Sequence, residues 1–172
     1  MCALILFGMI FGTRISLMRE KKKLNELFAT AELSGATISS RISTLIEESD
    51  KLCAEAVSLL GSSDPEYKKV EDAKEKLSKA NRPDTQYQAM TGLASSSIVL
   101  AGKAKNAVKD DKSSTYIELV RIQGVVEGIR DRLDDFRAGY NTAVRKFNDT
   151  RNAFPCRIFA LLGFVGEAVP FE

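Results

Sequence analysis

The chain has 172 residues, 28% charged and 44% apolar, which places it among folded proteins with one sizeable core. Its 25 basic and 23 acidic groups leave a net charge of +2, a balance that gives no field strong enough to drive nucleic-acid binding. Histidine is absent, which excludes His-containing triads, His-ligated zinc or haem and the Glu-x-x-His di-iron site of helical bundles.

Residues 1–12, MCALILFGMIFG, carry no charge, and Arg14, Arg19 and Lys21-Lys22-Lys23 come after them. As a helix those twelve residues reach about 18 Å, short of the roughly 30 Å hydrocarbon core. Extension to Met18 lengthens the segment but takes in Arg14, whose long side chain can snorkel to an interface. A buried helix extension is a second reading. A secretory signal is a third, although it lacks a basic n-region and a small-residue cleavage site. The anchor reading places Leu4, Ile5, Leu6, Phe7, Ile10 and Phe11 against lipid. It places Arg14, Arg19, Lys21, Lys22 and Lys23 against anionic headgroups, with the bulk of the chain on the cytoplasmic side.

A heptad rhythm begins at Leu24. Leu24, Phe28, Ala31, Gly35, Ile38, Ile42, Leu45, Ser49, Leu52, Ala56 and Leu59 step by three and four, and only Gly35 and Ser49 are not apolar. That period predicts an amphipathic helix over 24–60. Gly61 suits its C′ position, and Asp64-Pro65-Glu66 reads as N-cap, N1 and N2 of a second helix ending near Ala80. Asn81-Arg82-Pro83-Asp84 breaks the chain. A third helix, 84–109, carries Tyr87, Met90, Ala94, Ala101, Ala104 and Val108 on one face, with Gly92 and Gly102 expected to allow close approach. After a loop at 110–113, with Ser113 or Ser114 as cap, the rhythm returns in a fourth helix ended by Pro155. Its stripe is Leu119, Ile122, Val126, Ile129, Leu133, Phe136, Tyr140, Ala143, Phe147, Thr150 and Phe154. Seams of this kind predict an all-α fold: an antiparallel four-helix bundle with two long heptad-patterned helices and an apolar N-terminal segment.

The fourth helix and the C-terminal residues carry Tyr140-Asn141-x-Ala143-Val144, Phe147-Asn148, Phe154-Pro155, Ala160-x-x-Gly163-Phe164 and a terminal Phe171-Glu172. In order and spacing this resembles the C-terminal hallmark of the LemA family; Arg41-Ile42-Ser43-Thr44-Leu45-Ile46 is a weaker match. The resemblance implies a single-anchor membrane protein with a four-helix cytoplasmic bundle. It makes Tyr140, Asn141, Phe147, Asn148, Phe154, Pro155, Gly163 and Phe164 structural motif residues. One branch of the family consists of magnetosome membrane proteins, so a bacterial inner or organelle membrane is the expected setting.

The remaining polar groups read as structural. Asn141 and Asn148, one heptad apart, are expected to fix helix register. Asn148-Asp149-Thr150 matches a glycosylation pattern inside a helix and is discounted. Glu47, Glu48 and Asp50, like Asp134 and Asp135, are expected on a solvated face, and Cys53 in the core. The apolar tail has three candidate places: capping the bundle, the membrane interface, or a partner. The organisation expected is an anchor over 1–23, a bundle over 24–154 and a tail over 155–172. The function expected is a non-enzymatic scaffold or adaptor, without cofactor, metal or nucleic acid, that meets a protein partner at a membrane. The rival readings are a soluble ligand-binding bundle, in which Arg132, Arg137 or Asn141 converge on a pocket, and a self-associating structural protein.

Overall fold

Every regular element among the described residues of the computed structural model is helical. The structure describes residues 2–29, 38–154, 156–161 and 165–171, with backbone alone for 2–11, 27–29 and 159–161. The helices are α1 (Cys2–Ala29), α2 (Ile38–Leu60), α3 (Pro65–Lys79), α4 (Pro83–Ala107), α5 (Ser114–Asn152) and α6 (Cys156–Leu161).

Local chemistry sets the boundaries. Gly61 ends α2 with a φ of 84°, a left-handed conformation that costs glycine little. The Asp64 carboxylate then accepts the Glu66 N–H at 2.9 Å with Pro65 in the first turn, as the sequence predicts. The Ser113 hydroxyl accepts the Tyr116 N–H at 3.2 Å, which identifies Ser113 as the cap of α5. At its other end α5 stops at Asn152, two residues before the expected Phe154.

The chain divides into two units. Unit 1 is Met1–Ile38 with Ala138–Pro170, and unit 2 is Ser39–Arg137 with Phe171–Glu172. In unit 2 the heptad walk holds: Leu45, Ser49, Leu52 and Ala56 of α2 and Leu119, Ile122, Val126, Ile129 and Leu133 of α5 are buried. Ile42 is half-buried. The face of α4 is wider than its alanines suggest, since Leu93, Ser97 and Leu100 are also fully buried. The expectation for Gly92 and Gly102 does not hold. A Cβ built at either would meet nothing, so the close-packed surface is made by Ala94, Ala101 and Ala104.

In unit 1 the buried contact joins Leu17 of α1, Phe147 of α5 and Cys156 of α6, with Val165 and Ala168 packed against it. Leu17 and Leu24 are buried, while Arg14, Ile15, Met18, Arg19 and Lys21 to Lys23 are exposed. The inward stripe of α1 therefore continues one heptad upstream of Leu24. Residues 30–37, which include Ala31 and Gly35 of the predicted seam, lie outside the described residues.

Candidate functional site

Unit 2 encloses a polar seam. The Ser49 and Ser97 hydroxyls, both fully buried, lie 3.0 Å apart between α2 and α4. Ser49 donates its only hydroxyl hydrogen to the Leu45 carbonyl at 2.7 Å, so Ser97 is the donor to Ser49. One residue away Glu48 is also buried, which corrects its expected place on a solvated face. Its carboxylate is paired with Lys51 at 2.9 Å and with Arg121 of α5 at 2.5 Å. Burial pushes this carboxyl up, but the hydrogen bonds from Lys51 and Arg121 outweigh it and hold Glu48 below the ordinary carboxylate value. Arg121 also pairs with Glu118 at 2.7 Å, and its affinity for its proton is raised.

Further pairs cross between helices. Lys74 of α3 meets Asp50 of α2 at 2.5 Å, and Lys103 of α4 meets the capping Asp64 at 2.5 Å. Cys53 is buried as expected, and burial with the neighbouring Glu71 carboxylate pushes its thiol up to about 12. At neutral pH that sulfur stays protonated and unreactive. Among the described residues no three Cys, Asp or Glu side chains converge as a metal site requires.

Unit 2 also holds an aromatic corner. Tyr87 donates its hydroxyl to Asp134 at 2.8 Å, and the Arg137 guanidinium lies 5.2 Å from the Tyr87 ring centre. Phe171, fully buried, meets the same ring edge-on at 5.1 Å. Asp134 is exposed, as expected, and accepts the Tyr87 bond on the outer face. Open grooves of about 430 and 340 Å³ lie between α3 and α4. Both are lined by Lys76, Gln88 and Ala89, and by none of Arg132, Arg137 or Asn141.

Unit 1 carries a latch. Asn148 donates its amide to the Ala168 carbonyl at 3.0 Å and accepts the Ala168 N–H at 3.0 Å. Arg151 donates to the Val165 carbonyl at 2.9 Å and pairs with Glu167 at 3.1 Å. Asn148 therefore holds the tail rather than setting register between helices. Tyr140 and Phe147 are buried, and Asn141 is half-buried. Phe154 is not: it is 78% exposed in the turn after α5, which corrects its place on the seam. Once the helix ends at Asn152, the three-and-four spacing no longer governs where a side chain points. Pro155, Gly163 and Phe164 lie outside the described residues.

No helix among the described residues is long and apolar enough to cross a membrane. Leu17, inside the expected 1–18 anchor, is buried in unit 1, while Ile15 and Met18 beside it are exposed. The side chains of Leu4, Ile5, Leu6, Phe7, Ile10 and Phe11 lie outside the described residues. Arg14, Arg19 and Lys21 to Lys23 are exposed; Lys23 pairs with Glu20 at 3.0 Å and Lys22 with Glu26 at 3.6 Å. No family model and no curated protein matches this chain.

Proposed function

We propose that the chain is a non-catalytic scaffold of the LemA type, held at a membrane by its N-terminal helix. In this reading unit 2 is an antiparallel four-helix bundle that offers charged outer faces to a protein partner on the cytoplasmic side of an inner or organelle membrane. The observation that carries it is the pairing of ionisable groups between the helices of unit 2. Glu48, Asp50 and Asp64 are tied to Arg121, Lys74 and Lys103, each pair joining two different helices or a helix and the cap of another. Side chains paired in this way hold helices together and leave little freedom for proton transfer. The basic run after an uncharged stretch supports attachment to anionic lipid, each exposed cation contributing about 1 kcal/mol near such a surface. Burial of Tyr140 and Phe147 and the tail bonds of Asn148 support a structural role for the LemA-like residues.

The test is fractionation with crosslinking in native membranes. The full chain is expected to pellet with membranes and to crosslink to a partner, while the chain lacking residues 1–23 stays in the supernatant. Identical partitioning of the two chains rejects the reading.

A further inference from the structure

Unit 1 exposes four large apolar side chains close in sequence to the buried cluster of Leu17, Phe147 and Cys156. Ile15 and Met18, 51% and 60% exposed, flank Leu17 on α1. Phe154 and Ile158, 78% and 49% exposed, flank Cys156 at the α5–α6 corner. Leu17 and Cys156 belong to the same buried cluster, so the corner packs beside the turn where α1 changes from apolar to basic. Ile15 and Met18 stand three residues apart on one face of α1, away from Leu17. Arg14 and Arg19 of α1 and Arg157 of α6 are exposed.

We infer that the α5–α6 corner is a second lipid-contacting element. Phe154 and Ile158 enter the headgroup region of an anionic bilayer, and Arg157 pairs with lipid phosphates. This rests on the membrane reading above and adds to it a depth: the Leu17–Cys156 contact sits at headgroup level. Charge identifies the occupant. Exposed Phe154 and Ile158 beside exposed Arg157, packed against a helix that carries Arg14, Arg19 and a lysine run, fit a surface that is oily below and anionic above. An aromatic side chain on a turn, next to a short helix, suits that boundary.

The chain contains no tryptophan, so one introduced residue reports its own surroundings. Phe154→Trp and, as a control in unit 2, Ile117→Trp at a site 60% exposed are made in the full chain. Each is mixed with vesicles of phosphatidylcholine and phosphatidylglycerol, with pure phosphatidylcholine, and with vesicles carrying brominated acyl chains. The expected result is a shift to shorter wavelength and quenching by brominated lipid for Phe154→Trp alone, stronger with the anionic vesicles. The double substitution Phe154→Ser with Ile158→Ser is expected to weaken vesicle binding about tenfold or more. If the chain floats with vesicles and Phe154→Trp stays unshifted, the corner is overturned and the membrane reading stands. If the chain binds neither vesicle, both fall. A shift shared by Ile117→Trp, or one that grows with protein concentration without vesicles, overturns the corner as a lipid contact; the second outcome assigns it to another copy of the chain.

Discussion

Unit 2 and unit 1 are held together by different chemistry. In unit 2, side chains on one helix bond to side chains on another: Ser49 to Ser97, Glu48 to Arg121, Lys74 to Asp50. In unit 1, two side chains of α5 bond to the main chain of an irregular tail, Asn148 to Ala168 and Arg151 to Val165. The first arrangement depends on two matched residues far apart in sequence. The second depends on one residue and on peptide groups that nearly every residue carries. Loss of a polar partner should therefore be felt on two helices in unit 2 and stay local to the tail in unit 1.

The largest effect tests whether the small core of unit 1 behaves as a unit. Phe147→Ala removes the largest side chain packed with Leu17 and Cys156 and is expected to cost about 3–5 kcal/mol. Hydrogen exchange should show the loss first over 139–152, with 45–56 still protected; equal loss in both segments would merge the two units energetically.

A smaller effect probes the charge pairing of unit 2. Glu48→Gln keeps the shape but weakens two charge-assisted bonds, for about 1–3 kcal/mol by urea unfolding. The pH dependence has a defined sign. The folded pKa of Glu48 lies below its ordinary 4.5, so its contribution is complete above that value and is lost as pH falls through the lowered one. The substitution should flatten the acid limb of the stability curve and leave the alkaline limb alone.

The smallest effect concerns the latch. Asn148→Ala removes both bonds to Ala168 and is expected to cost about 1–2 kcal/mol, because the freed tail groups regain water. Amide exchange at Ala168 should rise sharply with little change in α2. Unchanged exchange there would mean that packing of Val165 and Ala168 alone holds the tail.

Helices α2 to α5 are legible in the sequence because their information is local. A cap such as Asp64-Pro65 acts within one turn, and a stripe such as Leu119 to Leu133 repeats often enough to be read without a partner. Long-range information is harder to see. Glu48 sits one step off the seam and looks like surface until Arg121, on another helix, is found beside it. Leu93 and Leu100 widen the buried face of α4 because neighbours cover more of it than one stripe requires. Phe154 fits the rhythm on paper, but the helix that gives the rhythm meaning has already ended. Leu17 is hidden for the opposite reason. The uncharged start invites a membrane reading, which masks the same rhythm running back through it. The tail latch leaves only a faint trace, the placement of Asn148 one heptad from Asn141.

The two bonds between Asn148 and Ala168 need an oxygen on one side of the side chain and a nitrogen on the other. Spontaneous hydrolysis of that amide to a carboxylic acid preserves the volume and one bond, but turns a negative oxygen toward the Ala168 carbonyl. Loss of that one amide nitrogen would thus convert a clasp into a repulsion and unseat residues 165–168.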